Sequence, residues 1–187
     1  LDGGIVSGRL TTEYGDMLAD ADVYLDGSGL NPDHTPSNGR YAFPRMPLGG
    51  NYVVRPFNDR DPMNGVTTKD LVRIQRHLLG DQPLESPYQI IAGDIDRSNS
   101  VSIKDIIWLR KMILGYEAKF PNNNTSWRFV DETYVFPDPE DPFAPGFPEV
   151  YDLNPLSSDM VVDFIGVKIG DVTGNTRVNG YEITESR

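Results

Sequence analysis

The sequence contains no cysteine and only two histidines, His34 and His77. A disulfide framework and a thiolate metal site are therefore excluded, and a zinc site is disfavoured because cysteine is absent and only two histidines are present. No stretch approaches the roughly 18 to 20 apolar residues that a membrane-spanning helix needs. The 17 Lys and Arg residues are outnumbered by 28 Asp and Glu residues, which gives a formal net charge of −11 and no basic stripe. Neither a membrane span nor a nucleic-acid partner is expected.

The motifs of common enzyme classes are also missing. The sequence has no nucleophile elbow, no phosphate-binding loop and no pair of neighbouring histidines. A pair of carboxylates of the glycosidase type stays open as an alternative, since such a pair leaves no local sequence signature. We therefore predict a protein that is not an enzyme and has no catalytic residues.

Aspartate is the abundant acidic residue, with 20 Asp against 8 Glu. Helical surfaces usually carry Glu, whereas Asp suits loops and binds hard cations through a short, rigid carboxylate. The bias therefore favours cation-binding loops. The chain begins with Leu1 rather than Met, and we expect it to be a fragment of a longer protein whose secretion signal or anchor lies elsewhere.

Strand and helix signals occupy separate blocks, which favours an α+β fold. Short alternating runs broken by Gly, Pro, Asp and Asn predict a small antiparallel β-sandwich-like unit over residues 1–57. Residues 58–120 have helical periodicity. Residues 121–174 hold the strand-like runs WRFV, TYVF and VVDFIGVKIGDV around a Pro-rich loop, and this segment either completes the sheet of the first unit or covers the helices. Residues 175–187 are predicted to link to a following segment.

The helical block is a repeat. TTKDLVRIQRHLLG, which ends at Gly80, aligns with SIKDIIWLRKMILG, which ends at Gly115, so that the two copies are 35 residues apart. Because one amphipathic helix cannot bury its apolar stripe alone, we expect the two helices to pack face to face.

Each copy begins with a loop that has the spacing of a calcium site. In the second loop, DIDRSNSVSIKD, position 6 is Asn99, which tolerates the left-handed backbone that usually requires glycine there. Oxygen ligands at alternate positions match the needs of Ca²⁺. The predicted ligands of this loop are Asp94, Asp96, Ser98, Ser100 through its carbonyl, and Asp105.

The first loop, DRDPMNGVTTKD, offers Asp59, Asp61 and Asp70 at the same positions. Its position 5 is Met63, whose thioether is a poor ligand for a hard cation, so this loop is expected to bind more weakly. About two calcium ions are expected in total. A further ion near Asp138–Asp141 is an alternative to a solvated acidic loop, and both carboxylates that open the helices could also act as helix caps.

Neither loop is preceded by a convincing entering helix. A duplicated calcium loop with only the exiting helix resembles the type I dockerin module, and the resemblance covers about residues 58–115. The preceding stretch, with ADADVYLDG and NGRYAFPRMPLGGNYVVRP, resembles the carboxypeptidase regulatory-like or collagen-binding B-type β domain. The joined pattern is similar to segments of secreted Bacteroidota surface proteins, which implies an extracellular or cell-surface location.

These observations predict a calcium-binding, non-catalytic structural or adhesive module in which calcium locks the loop–helix repeats. Type I dockerins bind cohesin domains, so the resemblance also implies a recognition module for a cohesin-like protein partner, and binding of a glycan is a related alternative. A self-assembling extracellular filament subunit is a further possibility, because exposed strand edges can pair between copies.

Overall fold

The computed structural model describes residues 3–178 and arranges them in three layers, which are two β-sheets and a layer of helices. The mixed α and β content agrees with the predicted α+β class. The elements follow one another along the chain as β1 (Gly4–Thr11), β2 (Asp22–Asp26), β3 (Asp33–His34), β4 (Arg40–Met46), β5 (Tyr52–Phe57), α1 (Thr68–Leu78), α2 (Pro87–Gly93), α3 (Ile103–Ile113), β6 (Trp127–Asp131), β7 (Tyr151–Leu153), β8 (Met160–Val161) and β9 (Phe164–Lys168).

The two sheets form a sandwich. One has the strand order β4-β1-β9-β6 with β8 beside β1, and the other has the order β3-β2-β5-β7. In β2 and β4 alternate residues are buried, among them Val23, Leu25, Tyr41 and Phe43, because successive side chains of a strand point to opposite faces of the sheet. These side chains fill the core between the sheets.

The C-terminal strands are built into the sheets of the N-terminal ones. β9 pairs with β1 in parallel and with β6 antiparallel, and β7 pairs with β5. The sandwich is therefore not purely antiparallel, since a strand that arrives from residues far along the chain can pair in either direction. The sequence left open whether this segment completes the sheet or covers the helices, and β9 does both. Phe164 lies in the sandwich core, while Val167 packs among the helices.

The helix layer preserves the 35-residue repeat. α1 follows the N-cap Thr67 and α3 follows the N-cap Ser102, and each cap forms a capping box with the aspartate three residues later. Both helices end before a glycine with positive φ, Gly80 at +72° and Gly115 at +74°. Their apolar stripes meet in a second core, where Ile74 and Leu109 are fully buried.

One predicted strand is wrong. The run TYVF at 133–136 forms no strand, because Asp131 accepts hydrogen bonds from the backbone N–H and the hydroxyl of Thr133 and turns the chain there. Phe136 instead packs edge-on against Tyr134 and Tyr88, with ring centroids 5.1 Å and 5.6 Å away. The apolar signal of the run therefore reflects aromatic packing on the helix layer.

The predicted linker at 175–187 is only partly described. Its first residues lie against the first loop, since Asn64 donates from Nδ2 to the carbonyl oxygen of Arg177 at 2.8 Å and accepts from the Arg177 N–H at 3.2 Å. Residues 179–187 lie outside the described residues. Among residues 3–178, no helix combines the length and the apolar character that a membrane span requires.

Candidate metal centre

The second loop brings three carboxylates together. Asp94 and Asp105 are fully buried, and Asp96 is 5 % exposed. One oxygen of each lies within 4.8 Å of the others, and within residues 3–178 no other group of three His, Cys, Asp or Glu side chains converges in this way. We call these three residues the Asp94 triad. The sequence predicted all three as ligands.

Tight backbone turns position the triad. Arg97 and Asn99 adopt φ of +53° and +60°, so the left-handed backbone expected at Asn99 is present. This curvature points backbone N–H groups inward: Ser98 donates to Asp94 Oδ1 at 2.8 Å and to Asp96 Oδ1 at 3.2 Å, and Asn99 donates to Asp94 Oδ2 at 3.1 Å. The loop is thus wrapped around the carboxylates by its own main chain.

Asp105 uses its two oxygens differently. Its Oδ2 accepts from the N–H of Ser102 at 2.7 Å and from the hydroxyl of Ser102 at 3.0 Å, which completes the cap of α3. Its Oδ1 accepts from the N–H of Asp96 at 3.1 Å on the loop side. The carboxylate therefore caps the helix with one oxygen and faces the loop with the other, so capping and metal binding do not exclude each other.

The two predicted serine ligands lie side by side in the same loop. Ser98 Oγ is 3.3 Å from Ser100 Oγ and 3.4 Å from the Ser100 carbonyl oxygen. Both residues are exposed, unlike the triad. The loop therefore offers buried carboxylate oxygens on one side and neutral oxygens open to water on the other.

The burial of so much negative charge shows in the pKa values. Burial raises the pKa of Asp94 to about 6, and the charge of Asp105 adds to this effect, whereas the N–H donors of Ser98 and Asn99 oppose it. Burial likewise raises the pKa of Asp105, against the N–H donors of Asp96 and Ser102. The folded protein thus holds these carboxylates in an environment that disfavours their charge unless a cation is near.

Residues outside the loop support it, and sequence reasoning missed them. Arg128 is 7 % exposed and places Nη1 3.9 Å from Asp94 Oδ2, while its Nε donates to Glu149 Oε1 at 2.8 Å. Asn124 donates from Nδ2 to the carbonyl oxygens of Asp94 and Ile95 at 3.1 Å and 3.0 Å. The asparagine run at 122–124 was the one available signal, because side-chain amides often bond to backbone in loops.

The first loop does not gather its predicted ligands in the same way. Asp59 Oδ1 accepts from the N–H of Ser126 at 2.9 Å. Asp70 Oδ2 accepts from the N–H of Thr67 at 2.8 Å to cap α1, and its Oδ1 accepts from the N–H and hydroxyl of Thr173 at 3.0 Å and 2.7 Å. Asp61 lies at a turn with φ of +46°. These three carboxylates do not converge as the triad does.

Asp171 is a further acidic residue at the first loop that the sequence reasoning did not select. Its Oδ1 accepts from the N–H groups of Gly174 and Asn175 at 2.8 Å and 3.2 Å, and its Oδ2 accepts from the N–H of Thr176 at 2.8 Å. Its position just after a strong strand signal, within GDVTGN, was the available clue to a turn built on a carboxylate.

The chemistry of the Asp94 triad fits a hard divalent cation. Every candidate donor in the loop is an oxygen, and carboxylates with carbonyl and hydroxyl oxygens are the set that Ca²⁺ prefers. If such an ion binds, the three aspartates supply the charge and Ser98 and Ser100 supply neutral oxygens. The ion would offset the desolvation that raises the carboxylate pKa values.

The acidic segment at 138–141 has a different character. Asp138, Glu140 and Asp141 are exposed, and Asp138 Oδ1 accepts from the N–H of Glu140 at 2.9 Å within a local turn.

Comparisons of the chain with protein-family models, with curated proteins and with solved structures find no match.

Proposed function

We propose that the protein is a calcium-stabilised, non-catalytic structural or adhesive module of a secreted or cell-surface protein. The observation that carries the proposal is the burial of three carboxylates in one loop, at the start of a helix, in a sequence with the spacing of a calcium site. Charges are rarely buried unless they are paired or bound to a metal. Arg128 compensates the charge of Asp94 in part, and a calcium ion at the Asp94 triad supplies the remaining compensation.

The position of the triad couples an ion to the fold. Asp105 belongs to the capping box of α3, and Asn124 ties the Asp94 backbone to the segment that leads into β6. An ion held by the triad therefore joins the helix layer to the sheet that contains β6. An ion that binds the folded but not the unfolded chain stabilises the fold by mass action, by about 4 kcal/mol at a thousandfold excess over its dissociation constant. Structural support is the role that this coupling favours.

Calcium titration tests the proposal. We expect wild-type protein to bind calcium with a dissociation constant between roughly micromolar and millimolar, the range of sensor and extracellular loops. The variant Asp94→Asn, Asp96→Asn should lose this binding, because two of the three charged ligands become neutral amides. Isothermal titration calorimetry after removal of bound metal by a chelator measures both constants.

A matched control makes the same change of charge elsewhere. Asp138→Asn, Asp141→Asn removes two carboxylates from an exposed loop and should titrate like the wild type. Calcium binding that is weakened equally in both double variants would contradict a site at the triad, because it would point to the net negative charge as the cause.

A second candidate function is recognition of a cohesin-like protein, and one surface favours it. An apolar groove of about 630 Å³ runs between α1 and α3, lined largely by aliphatic side chains. Leu79, Ile103 and Leu114 on its rim are 74 %, 70 % and 58 % exposed. A module that only spaces other domains has no reason to keep such a patch, and aliphatic side chains suit a protein surface better than a glycan.

Charged substitutions in the groove test this candidate. Ile103→Asp, Leu114→Asp should weaken binding to an immobilised type I cohesin module at least about thirtyfold, as expected for the loss of central apolar contacts. Val135→Asp, on a side chain that is 83 % exposed and outside the groove, should leave binding unchanged. Biolayer interferometry in calcium measures the affinities. A wild-type protein that binds no cohesin module removes this candidate.

A further inference from the structure

The first loop–helix unit contains a buried amine. Lys168, the last residue of β9, is 5 % exposed. Its Nζ donates to the carbonyl oxygen of Pro62 at 2.7 Å and to the carbonyl oxygen of Ile169 at 2.9 Å. Lysine is almost never buried to this degree unless its charge is compensated. What surrounds Nζ therefore has to supply negative charge.

An aromatic ring and four aspartates favour the positive charge of Nζ. The ring of Phe120 lies below the amine, with its centroid 5.3 Å from Nζ, at a distance where an aromatic face attracts a cation. Burial lowers the pKa of Lys168 to about 7, and the negative charges of four aspartates oppose this effect. In decreasing order of their influence, these charges belong to Asp171, Asp70, Asp59 and Asp61.

Three of these four aspartates are the ligands that the sequence predicts for a calcium ion in the first loop. Pro62, whose carbonyl accepts from Nζ, belongs to the same loop. Through the Pro62 carbonyl the amine binds the loop itself, and it is held by backbone carbonyl oxygens, a type of ligand that a metal ion in such a loop also uses. The loop also carries Met63 where the second loop has Ser98, so it offers one oxygen fewer to an ion.

Within residues 3–178, no lysine or arginine side chain donates a hydrogen bond to the Asp94 triad. Arg128 Nη1 lies 3.9 Å from Asp94 Oδ2, and Arg128 donates from Nε to Glu149 instead. The Asp94 triad converges, whereas Asp59, Asp61 and Asp70 stand apart and bond to backbone N–H groups or hydroxyls or lie at a turn. Each unit thus has its own helix with the same type of cap, but the groups that compensate the carboxylate charge differ between the two units.

We propose that the amine of Lys168 takes the place of a cation in the first unit, so that this unit needs no calcium and the protein holds one structural ion, at the second. The proposal deepens the proposed function by fixing the number of ions, but the role of Lys168 stands on its own contacts. Because Lys168 belongs to β9, its hydrogen bond to Pro62 also connects the first loop to the sheet that contains β9.

Counting ions and measuring stability test the proposal. Native mass spectrometry and calorimetry should find one calcium in the wild type and none in Asp94→Asn, Asp96→Asn. Lys168→Met removes the amine but keeps the length of the side chain, and it should lower the unfolding midpoint by about 10 °C because the carbonyl oxygens of Pro62 and Ile169 lose their buried donor. Lys119→Met, on an exposed side chain, is the matched control and should change the midpoint by less than about 2 °C.

Each outcome decides the matter. An ion that remains in Asp94→Asn, Asp96→Asn and is lost on adding Asp70→Asn would place calcium in the first unit and overturn the proposal. Equal midpoints for Lys168→Met and Lys119→Met would overturn it as well. A wild type without any calcium would remove the proposed function, while the comparison of the two lysine variants would still decide the role of Lys168.

Discussion

Asp105→Ala is expected to abolish the stabilisation by calcium, whereas the equivalent change in the first unit, Asp70→Ala, is expected to retain it. Each residue caps its helix through the same hydrogen bonds, so each variant loses about 1 kcal/mol of capping, and Asp70→Ala also loses the two hydrogen bonds from Thr173. Only Asp105 also belongs to the Asp94 triad. The two variants therefore separate capping from metal binding.

The size of the difference follows from mass action. At a calcium concentration about a thousand times the dissociation constant, the ion adds about 4 kcal/mol to the free energy of unfolding, or about 10 °C for a chain of this size. Thermal unfolding with calcium and with excess chelator should show this rise in the wild type and in Asp70→Ala but not in Asp105→Ala. Equal responses of the two variants would mean that Asp105 is only a cap.

Local pattern was sufficient to predict the parts of the site that lie within one stretch of chain. The Asp94 triad lies within twelve consecutive residues, and Asn99, with its positive φ, lies within the same stretch. The repeat of α1 and α3, with their caps and terminal glycines, is likewise contained in two short segments. In these cases the spacing of residues determines the geometry, because few contacts from elsewhere intervene.

Long-range contacts account for what the sequence did not reveal. Asp70 bonds to Thr173, which is 103 residues away, and Lys168 reaches Pro62 across 106 residues. Arg128 approaches Asp94 from a strand that follows all three helices. No local pattern records such pairings, so the sequence distinguished the two loops only by Met63, although the fold surrounds them differently.

The Asp94 triad and the groove between the helices are connected through α3. Ser102 and Asp105 form its capping box, and Ile103, at its first turn, stands on the rim of the groove. An ion that orders the loop therefore fixes the end of the helix that carries this apolar side chain. The proposed structural function and the proposed recognition function are compatible, since the first would position the surface that serves the second.

A large loss of stability that does not depend on calcium is expected from Phe164→Ala, because β9 contributes to both cores. Phe164 is fully buried in the sandwich core, and Val167 of the same strand packs against the helices. Removing a buried phenylalanine costs about 3 to 5 kcal/mol, since the cavity that it leaves is only partly refilled. Val161→Ala, on a side chain that is 71 % exposed in the neighbouring β8, should cost less than about 0.5 kcal/mol.

The two tryptophans allow each core to be followed separately in the same experiment. Trp127 belongs to the sandwich core and Trp108 packs against the helix core, so Trp108→Phe and Trp127→Phe each leave one fluorescent reporter. Urea unfolding should give coincident transitions for the two reporters, and Phe164→Ala should shift both by the same amount because β9 transmits the loss to the helix layer. A shift confined to the Trp127 signal would show that the sandwich and the helices unfold independently, and that an ion in the second loop does not support the sheets.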